Sequence, residues 1–302
     1  RIYNMNVFYT KTSMWEFDFF KNDIFNKDLY PNMEINLILF DDKTKIHNNN
    51  KHNIIITNKS ISLKFIENMI KILEPITIFH LSDEWGKDIK YYDLYAKYNI
   101  KLLFHQYNFG NIDYKITNFQ IPLAYVSSYL SDKSYIDSKH QISLVSKKYD
   151  FSFVGQLKSD RNSMLNKFSD NFKNNFVHTG RTNWGQPENQ KIKPNKMFEI
   201  YKDTLFVPIG RGNIGLDCSR LYECIIAGAI PVLCAPIEEI NVTFNFNNKM
   251  PHLIVADNWD KVILLTKELY NDKDRIINII DSNHKWFEEQ IISISKHIKN
   301  VL

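Results

Sequence analysis

The sequence predicts an α/β protein of two units, each a parallel sheet with crossover helices. Short apolar runs alternate with segments of helical period, the rhythm of βα repeats rather than of hairpins. A polar stretch at 131–150 interrupts that rhythm, and a second series begins after it. The length of 302 residues suits two domains better than one.

In the first series the runs at 34–40, 52–57, 76–81 and 100–105 read as buried strands, with helices over 62–73 and 91–98. The second series places strands at 151–155, 174–180, 204–210, 229–234 and 252–257. The last thirty residues keep apolar positions at helical spacing and predict one or two terminal helices. The resulting division is 1–148, 149–275 and a helical tail 276–302, which could pack back on the first domain.

Composition bounds the function. A hydrophobic fraction of 44% with 14% aromatic residues describes a folded globule. Net charge is only +4, spread without a basic block, which suits a small anionic ligand and argues against a nucleic-acid partner. The three cysteines, Cys218, Cys224 and Cys234, form neither a C-x-x-C pair nor an even set, so reduced thiols are expected. The triplets at Asn58 and Asn241 match glycosylation sequons but arise easily in an asparagine-rich chain. No signal peptide or apolar run of spanning length is visible, which leaves cytoplasm or Golgi lumen open and is compatible with a membrane anchor outside this stretch. The oligomeric state is not readable.

Ligands of open parallel sheets bind beyond the carboxyl ends of the strands, so the polar residues after each run are the candidates. In the first half these are Asp41 and Asp42, then His80, Ser82, Asp83 and Glu84, then His105, Gln106 and Tyr107. In the second half they are Gly155 to Arg161, His178 to Arg181, the glycine loop from Gly210, and Glu238 with Glu239. Carboxylates and imidazoles dominate one half, glycines and arginines the other. That division suits acid/base work on one side and anion binding on the other.

Gly210, Gly212 and Gly215 have the G-x-G-x-x-G spacing of a dinucleotide turn, with Glu238 and Glu239 roughly where a ribose contact belongs. Against that reading, Leu-Asp-Cys-Ser-Arg after Gly215 looks like a loop ending in a new helix cap by Asp217 or Ser219. Pro208 and Pro231 also sit awkwardly for such a turn. From Ser219 onward, a hydroxyl, the Arg220 guanidinium and the Glu223 carboxylate gather at a helix N-terminus. The N–H groups and dipole there favour phosphate, Arg220 can clamp it, and Glu223 can accept from a ribose diol. Ordinary capping and side-chain pairing on a helix surface would use the same three residues.

The segment "LFVPIGRGNIGLDCSRLYECIIAGAIPVL" resembles the C-terminal signature of the exostosin-like inverting glycosyltransferases, and "FSFVGQLKSDRNSML" is similar to that family's other recurring segment. The resemblance covers about 150–270. Ala229 stands where the family commonly has cysteine, and the loop at Arg211 and Asp217 departs from the usual spacing. The resemblance implies a GT-B fold, two Rossmann-like domains facing across a cleft. By position, Ser219 and Arg220 would contact the donor diphosphate and Glu223 its ribose, with Gly155 and Arg161 across the phosphate and Arg211 in the neighbouring loop. It further implies a nucleotide-sugar donor, UDP-sugar foremost, a glycan or glycoprotein acceptor, and no metal or other cofactor. The one Asp-x-Asp triplet, at Asp272 and Asp274, reads as a charged turn.

Inverting transfer needs a base for the acceptor hydroxyl. Asp83 and Glu84 are the first candidates, with His80 and His105 behind them; Ser82 and Asp83 would equally suit helix capping, and a histidine there would equally serve as an ordinary hydrogen-bonding residue. His105, Tyr107 and Trp184 are candidates for acceptor binding, and Trp85 for stacking on a sugar ring. The alternatives are an NAD-dependent oxidoreductase using the Gly210–Gly215 loop and a non-catalytic glycan-binding relative.

Overall fold

The computed structural model describes residues 3–41, 52–130, 147–158, 160–180, 192–246 and 248–302. They divide into one unit of Arg1–Leu123 with Glu289–Leu302 and a second of Ala124–Glu288.

Unit 1 is a six-stranded sheet built from β1 (Tyr3–Tyr9), β2 (Met33–Leu39), β3 (His52–Asn58), β4 (Thr77–Leu81), β5 (Leu102–His105) and β6 (Asn118–Gln120). The order across it is β2-β1-β3-β4-β5-β6, and each neighbouring pair is parallel. Helix α1 (Leu63–Leu73) starts where Ser62 Oγ accepts from Phe65 N at 3.3 Å and stops at Glu74, whose φ of 45° breaks the helical path just before Pro75. Its buried stripe Ile66, Met69, Ile70 and Leu73 has the helical period and joins Ile55, Ile78 and Leu103 of the sheet in one core. Helix α2 (Ile89–Lys97) follows β4.

Strand β1 is central in this sheet although no apolar run announces it. Asn6 lies opposite Asn36 of β2 and Asn53 of β3. Asn36 Nδ2 donates to Asn6 Oδ1 at 3.3 Å, and Asn6 Nδ2 donates to Asn53 Oδ1 at 3.2 Å. Asn53 Nδ2 then donates to the Leu73 carbonyl at 2.5 Å. This asparagine ladder satisfies polar groups in a region where an unpaired amide would cost about 1 to 3 kcal/mol.

Unit 2 holds β7 (Tyr149–Gln156), β8 (Asn175–Gly180), β9 (Thr204–Ile209), β10 (Ile230–Cys234) and β11 (Ile254–Ala256), parallel and ordered β8-β7-β9-β10-β11. Its helices are α3 (Arg161–Asn171), α4 (Pro194–Lys202), α5 (Ser219–Ile226), α6 (Ile237–Phe244) and α7 (Trp259–Tyr270). Phe151, Phe153, Phe168, Phe206 and Trp259 fill its core. The terminal helix α8 (Lys273–Val301) is a single 29-residue element, its last part belonging to unit 1. Asp272 Oδ1 accepts from Arg275 N at 3.0 Å just before it, so one carboxylate of the Asp-x-Asp triplet helps start α8. Among the described residues no helix is long and apolar enough to cross a membrane.

The chain therefore forms the α/β class and the two parallel sheets expected of it. In each sheet the first strand sits between the second and third, so the winding reverses between β1 and β3 in unit 1 and between β7 and β9 in unit 2. In doubly wound sheets that reversal opens a crevice at the carboxyl ends, where ligands bind.

Candidate functional site

At the unit 2 reversal the ladder between β7 and β9 pairs Tyr149 with Thr204 and Phe151 with Phe206 and stops short of Pro208, which has no N–H to donate. Further along β7, the Val154 carbonyl is taken instead by Arg220 Nε at 3.1 Å. The Arg220 guanidinium lies 4.9 Å from the centre of the Phe153 ring, and that of Arg161, the first residue of α3, lies 5.9 Å from the same ring.

Arg161 is almost wholly buried. Its Nη1 donates to the Gln156 carbonyl at 2.8 Å, its Nη2 to the Arg211 carbonyl at 2.6 Å, and its Nε has no acceptor. Burial, and then the Arg220 cation, hold its pKa down at about 10, so it remains charged at neutral pH. Neither arginine forms an ion pair with a carboxylate among the described residues; they bond backbone carbonyls and, for Arg220, Cys218 Sγ at 3.8 Å, with Tyr201 and Glu223 also acting on Arg220.

Two glycines make room for these side chains. A Cβ on Gly210 would stand 2.5 Å from Arg161 Cγ, and one on Gly155 would collide with the Arg220 guanidinium. The glycine loop thus admits arginines. Gly215, the third glycine of the dinucleotide spacing, has open space around it, and α5 begins only four residues later. The close helix-to-strand packing that a third fingerprint glycine serves has no counterpart at that position.

Helix α5 opens at Ser219, which is half-buried, and no side chain caps it. Asp217 is occupied otherwise: Tyr222 Oη donates to its Oδ1 at 2.8 Å, while Oδ2, buried, has no partner. Burial pushes Asp217 up to about 7, against the Tyr222 hydrogen bond. Glu223 is likewise pushed to about 7 by burial, opposed by the Arg220 cation and by Val126 N–H at 3.5 Å, while Tyr129 Oη donates to its backbone carbonyl at 2.7 Å. Two cations and an uncapped helix start face this crevice, with the Asp160 carboxylate at its edge.

Gly155, Arg161, Ser219, Arg220 and Glu223 therefore converge, with Glu223 under the 126–129 segment rather than open to solvent. Arg211 stands in the same loop, but its guanidinium is committed to Glu239 of α6 through two bonds of 2.5 and 2.6 Å, and its N–H donates to Asp160 Oδ1 at 3.2 Å. Phe153, Asp160, Gln156 and Tyr201 complete the surroundings. Gln156 and Asp160 lie in the run Gly155 to Arg161 that the sequence offers, whereas Phe153 and Tyr201 were missed because an aromatic inside an apolar strand and a buried tyrosine in a helix look like core.

In unit 1 the candidates gather at the carboxyl ends of β4 and β5, but most are engaged in structural bonds. Asp83 is buried, accepting from Lys87 N at 2.9 Å, Asp88 N at 3.3 Å and Tyr92 Oη at 2.9 Å. Glu84 beside it is half-buried. His80, fully buried, lies between Tyr95 Oη at 2.8 Å and Asp88 Oδ2 at 2.9 Å. His105 contacts the Tyr107 carbonyl, Tyr114 Oη and Asn118 Oδ1, and burial lowers its pKa. Tyr107 is half-buried with φ of 59°, and Trp184 lies outside the described residues.

One acid at this edge went unnoticed in the sequence. Glu16 ends a turn after β1, is 5% exposed, and its Oε1 accepts from Gln106 Nε2 at 3.3 Å. Gln106 Oε1 in turn accepts from Ser82 N at 2.9 Å, so one amide joins the loops after β1, β4 and β5. Burial pushes Glu16 up to about 7, and the Gln106 bond opposes it.

No family model matches the chain, and no curated protein matches it. Among solved structures, a mutant of the O-GlcNAc transferase of Thermobaculum terrenum is similar over 99% of this chain and 66% of that one, at 8% identity and a TM-score of 0.43. The chain spans just under two thirds of that protein's length.

Proposed function

We propose that the chain is a glycosyltransferase that moves a sugar from a nucleoside-diphosphate donor, a UDP-sugar, to a hydroxyl of a glycan or glycoprotein by inverting displacement without a metal. The observation that carries this reading is the Arg161 and Arg220 pair over Phe153, one buried and one half-buried cation that form no ion pair with a carboxylate among the described residues. A leaving diphosphate needs its growing negative charge met in the transition state. Preorganised guanidiniums and helix N–H groups do that without reorganisation when they are already held in place, as these are. Glu223, on the same helix as Arg220, is the ribose contact in this reading, reached once the 126–129 segment that covers it moves aside.

The test is release of nucleoside diphosphate from a panel of UDP-sugars and GDP-mannose, with a metal chelator present, followed by the anomeric configuration of the product. Chelator-resistant release with inverted configuration supports the reading. Consumption of NAD with no sugar nucleotide turned over would contradict it.

A further inference from the structure

We infer that the outer edge of β2 is an interface at which two copies of this chain pair their β2 strands antiparallel, about a two-fold axis through Asn36, and so join their unit 1 sheets. Unit 1 alone carries this interface, whatever reaction the chain performs.

A sheet edge presents a row of unpaired N–H and C=O groups, and proteins that stay apart blunt it with short strands, lysines, prolines or bulges. Among the described residues three of the four sheet edges are blunted. β6 and β11 are three residues long, and β8 carries Asn175, His178, Thr179 and Gly180 among its six residues. The edge at β2 differs. It runs for seven residues, Met33–Leu39, without a lysine or a proline, and pairs with β1 residue for residue with no bulge. Ile35, Leu37 and Ile38 are half-buried and Leu39 is 42% exposed, so apolar surface is left partly covered along it.

The asparagine ladder identifies what covers that surface. It runs from the Leu73 carbonyl through Asn53 and Asn6 to Asn36, and every amide but the last both donates and accepts. Asn36 gives one amide hydrogen to Asn6, and among the described residues its Oδ1 receives none. One donor and one acceptor therefore remain on the same primary amide, which makes it self-complementary. Two such amides facing each other across a two-fold axis each donate the spare hydrogen to the other's oxygen. Asn36 is also the middle residue of β2, so antiparallel pairing centred on it uses the whole length of both strands. A foreign strand would need a carboxamide at that one register; a second copy brings it by symmetry.

The remaining side-chain pairs are compatible with this register. Residues directly opposite in an antiparallel pair share a face, so Ile35 meets Leu37 of the second copy, and Ile38 meets the methylenes of its Glu34. Glu34 is the strand's sole charge. Its two copies stand roughly 13 Å apart along the strands, beyond the screening length of about 8 Å at physiological salt. No like charges meet at the seam.

Sedimentation velocity and cysteine pairing on the full chain test this. From about 1 to 100 μM the wild type should sediment as a dimer. Asn36→Asp sets carboxylate against carboxylate at the axis and should weaken that dimer by about 100-fold or more near neutral pH. Register is read with the ladder left intact. An equal mixture of Met33→Cys and Leu39→Cys chains should form a disulfide dimer on mild oxidation, because those two positions lie opposite each other. Either variant alone should form none beyond wild type, since its copies stand roughly 20 Å apart. A chain that stays monomeric throughout overturns the inference, as does a dimer that Asn36→Asp leaves intact or one in which the mixed cysteines fail to join.

Discussion

In unit 1 the strand order reverses between β1 and β3, and the turn after β1 carries Thr10, Ser13 and Glu16, with Lys11 exposed at its start. In unit 2 it reverses between β7 and β9, and the loops carry Arg161, Arg220 and the glycines that let them through. The backbone plan is the same in both, so the difference comes from what the loops bring. Where Pro208 ends a ladder, Arg220 reaches a strand carbonyl; where Asn6 continues one, the sheet stays paired and Glu16 follows in the turn after the strand. Topology supplies a crevice, and a few side chains decide its chemistry.

The contrast breaks most completely if the cations are removed. Arg220→Ala should lower UDP affinity by about 100-fold, the scale of a lost charged hydrogen bond plus its unpaired surroundings, with calorimetry as the readout. Unchanged affinity would mean that the arginines hold the loop together and nothing more.

A smaller effect comes from spoiling access without removing charge. Gly155→Ala drives its methyl against the Arg220 guanidinium, so UDP affinity should fall by about 10-fold while the protein stays folded by circular dichroism. A variant that binds as well as wild type would show that Arg220 can move aside at little cost.

The acids sharpen the comparison through stability. Glu16 in unit 1 and Asp217 and Glu223 in unit 2 all have folded pKa values raised to about 7. Each binds its proton more tightly folded than unfolded, so its stabilising contribution is complete below the unfolded carboxylate range and is lost as pH climbs through about 7. Melting temperature should therefore decline from about pH 5 to about pH 8, and Asp217→Asn should flatten that decline by roughly 1 to 3 kcal/mol. A decline as steep in Asp217→Asn as in wild type would place the titration elsewhere.

Smallest of all should be Glu239→Gln. Its pair with Arg211 is about one third exposed on both sides, and solvent screening limits such pairs to about 0 to 1 kcal/mol. UDP affinity should change less than threefold; a large drop would mean that Arg211 itself grips the ligand only while Glu239 holds it.

Much of this was legible beforehand. Apolar runs at 52–57, 76–81 and 204–210 became strands within a residue or so, because parallel strands buried on both faces read as continuous apolar stretches. Strand β1 was not, since its asparagines have low strand propensity and their ladder exists only once three strands are aligned. With that strand unseen, the turn after it had no address, and Glu16 looked like any polar residue. Arg161, Ser219 and Arg220 were readable because each follows a visible strand or opens a visible helix. Arg211's bond to Glu239 spans 28 positions and is a product of folding that spacing does not encode.

Uptake of a diphosphate by the Arg161 and Arg220 pair of unit 2 is the central claim. Calorimetric titration of the full chain with UDP in chelator, repeated on Arg220→Ala and Arg161→Ala, measures that directly. Metal-independent binding of UDP that both substitutions weaken by about 1.5 to 3 kcal/mol each is the predicted result. UDP binding indifferent to both, or no binding at all, would contradict it.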